Sequence, residues 1–181
     1  MPTSQVLTTP AIAALFVRSD SHYFDLGVDC YDQKRNALTW QGGTPGIFHP
    51  PCRSWGQLSH FAKPAPGERE LAIWSMSMVR KFGGVLEHPY SSKLWSESNC
   101  LSHGLRDDFG GLLIPVFQSW FSHKAPKKSC LYVVGAVPEL PDYLEPVTTQ
   151  SIQNMNVKQR ETTPLPFATW LISLAQSCKV N

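Results

Sequence analysis

GERELAIWSMSMVRKFGGVLEHP, residues 67–89, decides the fold. Glu68–Phe82 reads as a helix: Leu71, Trp74, Met78 and Phe82 recur at three- and four-residue spacing. Acidic residues occupy its first turn and Arg80-Lys81 its last, the arrangement that complements a helix dipole. Gly83-Gly84 ends the helix, and Val85-Leu86 is a short apolar strand running into Glu87-His88-Pro89. Upstream, Gly42-Gly43-Thr44-Pro45 is turn chemistry, and Gly46-Ile47-Phe48 is a second brief strand that stops at His49-Pro50-Pro51. Strand, helix and strand in that order make a βαβ unit, which favours a parallel sheet.

Working outward, Ala11–Val17 and Gly27–Tyr31 read as two further strands, each followed by polar residues. Beyond the βαβ unit, the stretch from Tyr90 to Gly111 is polar and irregular. Leu112–Phe117 and Ser129–Val134 read as a strand pair around a basic loop. Pro138–Pro146 is a proline-rich connection, and Pro166–Cys178 is an amphipathic helix with Phe167, Trp170, Leu171 and Leu174 on one face. Residues 1–10 are polar and expected to be flexible. The expectation is one α/β domain over 1–181: a Rossmann-like, mainly parallel sheet with flanking helices and an antiparallel C-terminal strand pair.

Composition narrows the function classes. The 181 residues are 42% hydrophobic and 17% charged, enough chain for a proper core. A formal net charge of +2 exerts no general pull on nucleic acid, so any such contact must come from a local patch. Five cysteines, at 30, 52, 100, 130 and 178, are an odd and dispersed set without a CxxC pair. That argues against a disulfide framework and a four-cysteine zinc module, and suits a reducing cytosol. No secretory leader is read at the N-terminus, and no apolar run reaches the roughly 18 residues of a spanning helix. The expectation is a soluble cytoplasmic protein without membrane contact.

Three segments share one pattern, a short apolar strand with polar residues at its C-terminal end: Phe16–Ser21, Phe48–Cys52 and Leu86–Pro89. Ligands of open parallel sheets bind just beyond such ends. Adjacent strands would bring Asp20, His49, Cys52, Glu87 and His88 to one crevice. Pro50-Pro51 ends a ladder and aims Cys52 outward. Cys52 beside Arg53, with His49 near, has the electropositive surroundings that lower a thiol pKa and make a nucleophile. Glu87, next to His88, suits a general acid or a hydrogen-bonding grip on a base. Ser19 and Ser21 offer hydroxyls, and Arg18 a charge, to a phosphate, and Asp29 or Asp32 sits where related folds hold a ribose hydroxyl. Trp55, three residues past Cys52, is placed to stack on a base. The His123–Lys128 loop, with Lys127 and the neighbouring Trp120-Phe121, is a candidate phosphate contact. A metal-dependent hydrolase using His49, Cys52, His88 and His123 is a third reading, though no helix-spaced histidine pair supports it.

His-Pro-Pro-Cys-Arg-Ser-Trp at 49–55, followed by Leu-Glu-His-Pro at 86–89, resembles the core of the cytosine-5 DNA methyltransferases. In that family a Pro-Pro-Cys loop supplies the nucleophile and a glutamate in a Glu-Asn motif grips the ring nitrogen. The resemblance implies Cys52 as nucleophile, Glu87 as the base-gripping acid and S-adenosylmethionine as cofactor. Gln118–Tyr132 is similar to a Gln…Lys-x-Ser/Thr-x-Leu pattern of compact phage relatives, and Arg160–Pro164 resembles their C-terminal region. Across roughly residues 12–175 the chain also looks like small phage and prophage proteins, which implies the cytoplasm of a bacterial host. Three features depart from the family. Val17–His22 holds no glycine where the cofactor loop belongs, His88 replaces asparagine, and residues 135–160 leave no room for a target-recognition domain. The cofactor is therefore left open.

Two functions follow as expectations. The first is a phage-type enzyme that modifies a nucleotide or a nucleic-acid base with Cys52 and Glu87. The second is a non-catalytic, methyltransferase-like protein that binds a nucleotide or blocks a host defence or restriction protein.

Overall fold

A computed structural model of the chain describes residues 11–57, 59–141 and 148–179. In chain order the regular elements are β1 (Ala13–Leu15), α1 (His22–Asp25), β2 (Asp29–Tyr31), β3 (Gly46–Phe48) and α2 (Glu68–Phe82). They continue with β4 (Gly84–Pro89), α3 (Leu94–Glu97), β5 (Leu112–Phe117), β6 (Lys128–Val134), α4 (Val157–Glu161) and α5 (Leu165–Ser177). The six strands form one sheet in the order β2-β1-β3-β4-β6-β5. β2, β1, β3 and β4 run parallel, while β6 pairs antiparallel with both β4 and β5. This is the expected Rossmann-like α/β arrangement, with its antiparallel pair at one side.

Alternation along the strands builds two cores, one on each face. Ala14, Ile47, Val85, Leu131 and Val133 face α5, where Phe167, Ala168, Leu171 and Leu174 are buried. Ala13, Leu15, Phe48, Leu86 and Tyr132 face α2 through Ala72, Met76 and Val79. Each of the buried Val, Leu, Ile, Met and Phe side chains among them contributes about 1.5–3 kcal/mol over an exposed one. β3 and β4 start unusually close together. Gly46 and Gly84 are register partners, and a Cβ on Gly84 (φ +114°) would meet the Gly46 carbonyl oxygen at 2.0 Å.

Several elements differ from the sequence expectation. β4 extends through the polar residues Glu87-His88-Pro89, because β6 supplies a partner at each of them. The stretch from Tyr90 to Gly111, read as irregular, contains the single-turn helix α3. α1 and α4 were not anticipated. Asn156 opens α4 with a reciprocal capping box: its side chain accepts the Gln159 N–H, and the Gln159 side chain accepts the Asn156 N–H. The proline-rich connection at 138–146 lies partly outside the described residues.

On the α2 face of the sheet, a polar hub ties down the segment before β5. Arg80 Nε donates to the Tyr132 hydroxyl at 3.1 Å, and Nη2 to the Ser98 carbonyl at 2.7 Å and to Asp107 Oδ2 at 3.2 Å. The Tyr132 hydroxyl also donates to Asp107.

Candidate functional site

The carboxyl ends of β1, β3 and β4 open into one crevice of about 1020 Å³. Ser19, Asp20, Ser21, His49, Cys52, Arg53, Glu87, His88 and Lys127 line it, so the strand-end pattern locates the site. α4 and the residues after it close the far wall through Arg160, Glu161 and Thr163.

At its base lies a buried chain of hydrogen bonds. His49 Nδ1 lies 3.2 Å from Glu87 Oε2, and its Nε2 lies 3.0 Å from the Tyr23 hydroxyl. Glu87 Oε1 accepts from Gln118 Nε2 at 3.1 Å and from the Ser129 hydroxyl, and Gln118 also donates to Ser129 at 3.0 Å. Burial alone would raise the Glu87 carboxyl. The His49 bond, the charge of Lys127 and the Ser129 hydroxyl outweigh burial and hold it at about 2. Glu87 is therefore an anion and an acceptor, and the hydrogen of its Oε2 bond is carried by His49 Nδ1. Oε1 has two donors already, so a ligand N–H would have to come to Oε2, whose partner is His49.

Cys52 is exposed to the crevice and free. Its thiol corrects an expectation. Loss of water against the crevice walls raises the pKa, the charge of Glu87 raises it further, and Lys127 only partly offsets them. Arg53 is not among the main influences on it, because the guanidinium reaches away to Glu68, with Nε 2.6 Å from Oε1 and Nη2 2.6 Å from Oε2.

His88 is buried, and burial drops its pKa to about 4, so the ring is neutral. Its Nδ1 bonds the Ser92 hydroxyl at 2.8 Å and its Nε2 points to the Pro51 carbonyl at 3.5 Å. It thereby braces the Pro-Pro-Cys turn against the end of β4.

Other expectations are corrected by position. Trp55 is fully buried beneath α2, because the backbone turns back at Cys52 (Trp55 N–H to Cys52 carbonyl, 2.9 Å), and Arg69 covers its ring at 3.8 Å. It cannot stack on a base in the crevice. Asp29 pairs with Arg35, and Asp32 caps the N–H groups of Lys34 and Arg35; neither lines the crevice. Gln118 is buried behind Glu87 and does not line it either. His123 and Phe121 are buried, the histidine turned onto Ala125, so of the basic loop only Lys127 reaches the crevice. Among the described residues no group of three or more His, Cys, Asp or Glu side chains is arranged to hold a metal, which leaves the metal-hydrolase reading without support.

Sequence reasoning missed Tyr23 and Ser129, whose hydroxyls complete the buried chain, and the ionic wall formed by α4. Arg18 donates to Asp20 at 2.9 Å and to Glu161 at 2.8 Å, and Lys158 lies 2.8 Å from Asp20. These partners hold the Asp20 carboxyl far below its usual range. Lys127 Nζ donates to the Arg160 carbonyl at 2.8 Å. Only Ser21, a helix-starting residue before Tyr23, signalled the α1 turn: it caps α1.

The residues after β1 do not fit the S-adenosylmethionine cradle that the resemblance implies. Phe16 itself takes the left-handed conformation (φ 61°) in which a glycine would be expected, and ion pairs within the loop and to α4 occupy the residues beyond it. The ribose-binding acid expected after β2 is likewise turned away. Among the described residues no helix is long and apolar enough to cross a membrane. No family model matches the chain, and neither a curated protein nor a solved structure does.

Proposed function

We propose that the protein modifies a nucleotide or a nucleic-acid base, with Cys52 as nucleophile and Glu87 as the residue that grips the base. The observation that carries this reading is Cys52 sharing one crevice with an ionised carboxylate fixed by His49, Gln118 and Ser129. A carboxylate held by buried donors costs no reorganisation when a base N–H arrives. An N–H bound to it would also dilute its charge, which is one of the forces keeping Cys52 protonated. Ligand binding and thiol activation are thereby coupled. Because the cofactor cradle does not fit, no methyl transfer is derived.

The test is mass spectrometry of nucleotides and oligonucleotides incubated with the protein, beside Cys52→Ser. Loss of product in the variant, with the melting temperature retained, is expected. Full activity in Cys52→Ser would remove the thiol from the nucleophile role.

The thiol's raised pKa and the ion pairs in place of a glycine loop favour a second reading, a non-catalytic protein that binds a nucleotide or a host defence protein. Tight nucleotide binding by calorimetry with no product from any substrate would select it.

A further inference from the structure

Next to the crevice, the ends of three neighbouring strands carry a row of partly exposed rings and one cation. Lys128 and Phe117 are register partners across β6 and β5, and Tyr90 follows β4 with its N–H on the Lys128 carbonyl at 3.3 Å. The Lys128 ammonium lies 3.5 Å from the centroid of the Tyr90 ring and 5.5 Å from that of Phe117. Phe117 meets Trp120 edge-on at 5.4 Å, and Tyr90 meets the exposed His103 at 5.7 Å. Tyr90 is 39% exposed, and Phe117 and Trp120 are half-buried.

Charge along the chain favours this surface in a nearly neutral molecule. From Phe109 to Pro138 the chain contains no aspartate or glutamate, and Lys124, Lys127 and Lys128 all fall in that stretch. His88–Ser96 likewise has no carboxylate and contributes Lys93. Lys127 joins the ridge to the site, since it lines the crevice one residue from Lys128.

We infer that the Tyr90–Lys128–Phe117–Trp120 ridge is a docking surface for single-stranded nucleic acid, which it leads towards the crevice. The inference rests on the base-modifying reading and names its substrate as a polymer with unpaired bases. Rings set beside lysines match alternating base faces and phosphates. A duplex hides its base faces and offers only phosphates to such a surface, so it matches half of it.

Fluorescence anisotropy with labelled oligothymidylate and oligouridylate of about twelve nucleotides, against the matching duplex, tests this. Single strands should bind about tenfold tighter than the duplex, with affinity falling as salt rises. Tyr90→Leu with Phe117→Leu should weaken single-strand binding about tenfold or more, and Lys34→Ala, beyond β2 at the other edge of the sheet, should leave it unchanged. Equal affinity for duplex, unchanged binding by the double variant, or no binding of any single strand would overturn the inference; the wild-type comparison needs no variant to fold. A protein that modifies free mononucleotides yet ignores the oligomers would overturn it while leaving the base-modifying reading intact. Binding of the oligomers without modification of any base would do the reverse.

Discussion

Glu87 and His88 are consecutive residues whose environments push their pKa values down for opposite reasons. Glu87 is lowered although burial opposes it, because donors surround it; His88 is lowered because burial dominates. Both therefore stabilise the fold at neutral pH and cease to do so in acid. The neutral His88 ring contributes fully above its unfolded value of 6.5, and that contribution is lost as pH falls towards about 4. Glu87 contributes fully above 4.5 and loses its contribution as pH falls towards about 2. Each shift corresponds to roughly 3 kcal/mol. The melting temperature should thus drop in two overlapping stages below pH 6.5. In His88→Gln the first stage should largely vanish while the second remains. An unchanged profile between pH 6.5 and 4 in that variant would show that His88 is not the group responsible.

At the scale of elements, α4 is the part of the site held by charge rather than burial. None of its residues is buried, and its side-chain contacts to the β1 loop are the ion pairs Arg18–Glu161 and Lys158–Asp20. Exposed pairs are weak and screened by salt. Amide exchange in 157–161 should accelerate about tenfold between roughly 0.01 M and 1 M salt, whereas the buried amides of α2 should not respond. Equal responses in the two helices would mean that salt acts on the whole fold. The contrast between these helices also explains what the sequence disclosed. α2 was legible to the residue because an apolar stripe, oppositely charged ends and a double glycine agree. α4 carries no apolar stripe, so periodicity could not reveal it. β4 looked two residues long because its polar half is strand only by virtue of β6, a long-range pairing. The crevice was legible from the three strand ends. The direction of Trp55 and the reach of Arg53 were not, since both depend on how the chain turns after Pro51 and on Glu68 lying close in space.

Across the whole molecule, the crevice and the α2 face of the sheet do different work. The carboxyl ends of the parallel strands carry the thiol, the fixed carboxylate and the ionic wall. The α2 face carries the Arg80–Tyr132–Asp107 hub, which anchors α2 to β6 and to the chain before β5. Asp107 has only 5% of its side chain exposed, and Arg80 17%, so removing the cation strands a buried carboxylate. Arg80→Ala should destabilise the protein by about 3 kcal/mol in urea unfolding. Under native conditions the alkylation rate of Cys52 should stay at its wild-type value, because none of the three hub residues lines the crevice. Cys52 becoming markedly more reactive in folded Arg80→Ala would mean instead that hub and crevice are coupled, and that the hub sets the geometry of the site as well as its stability.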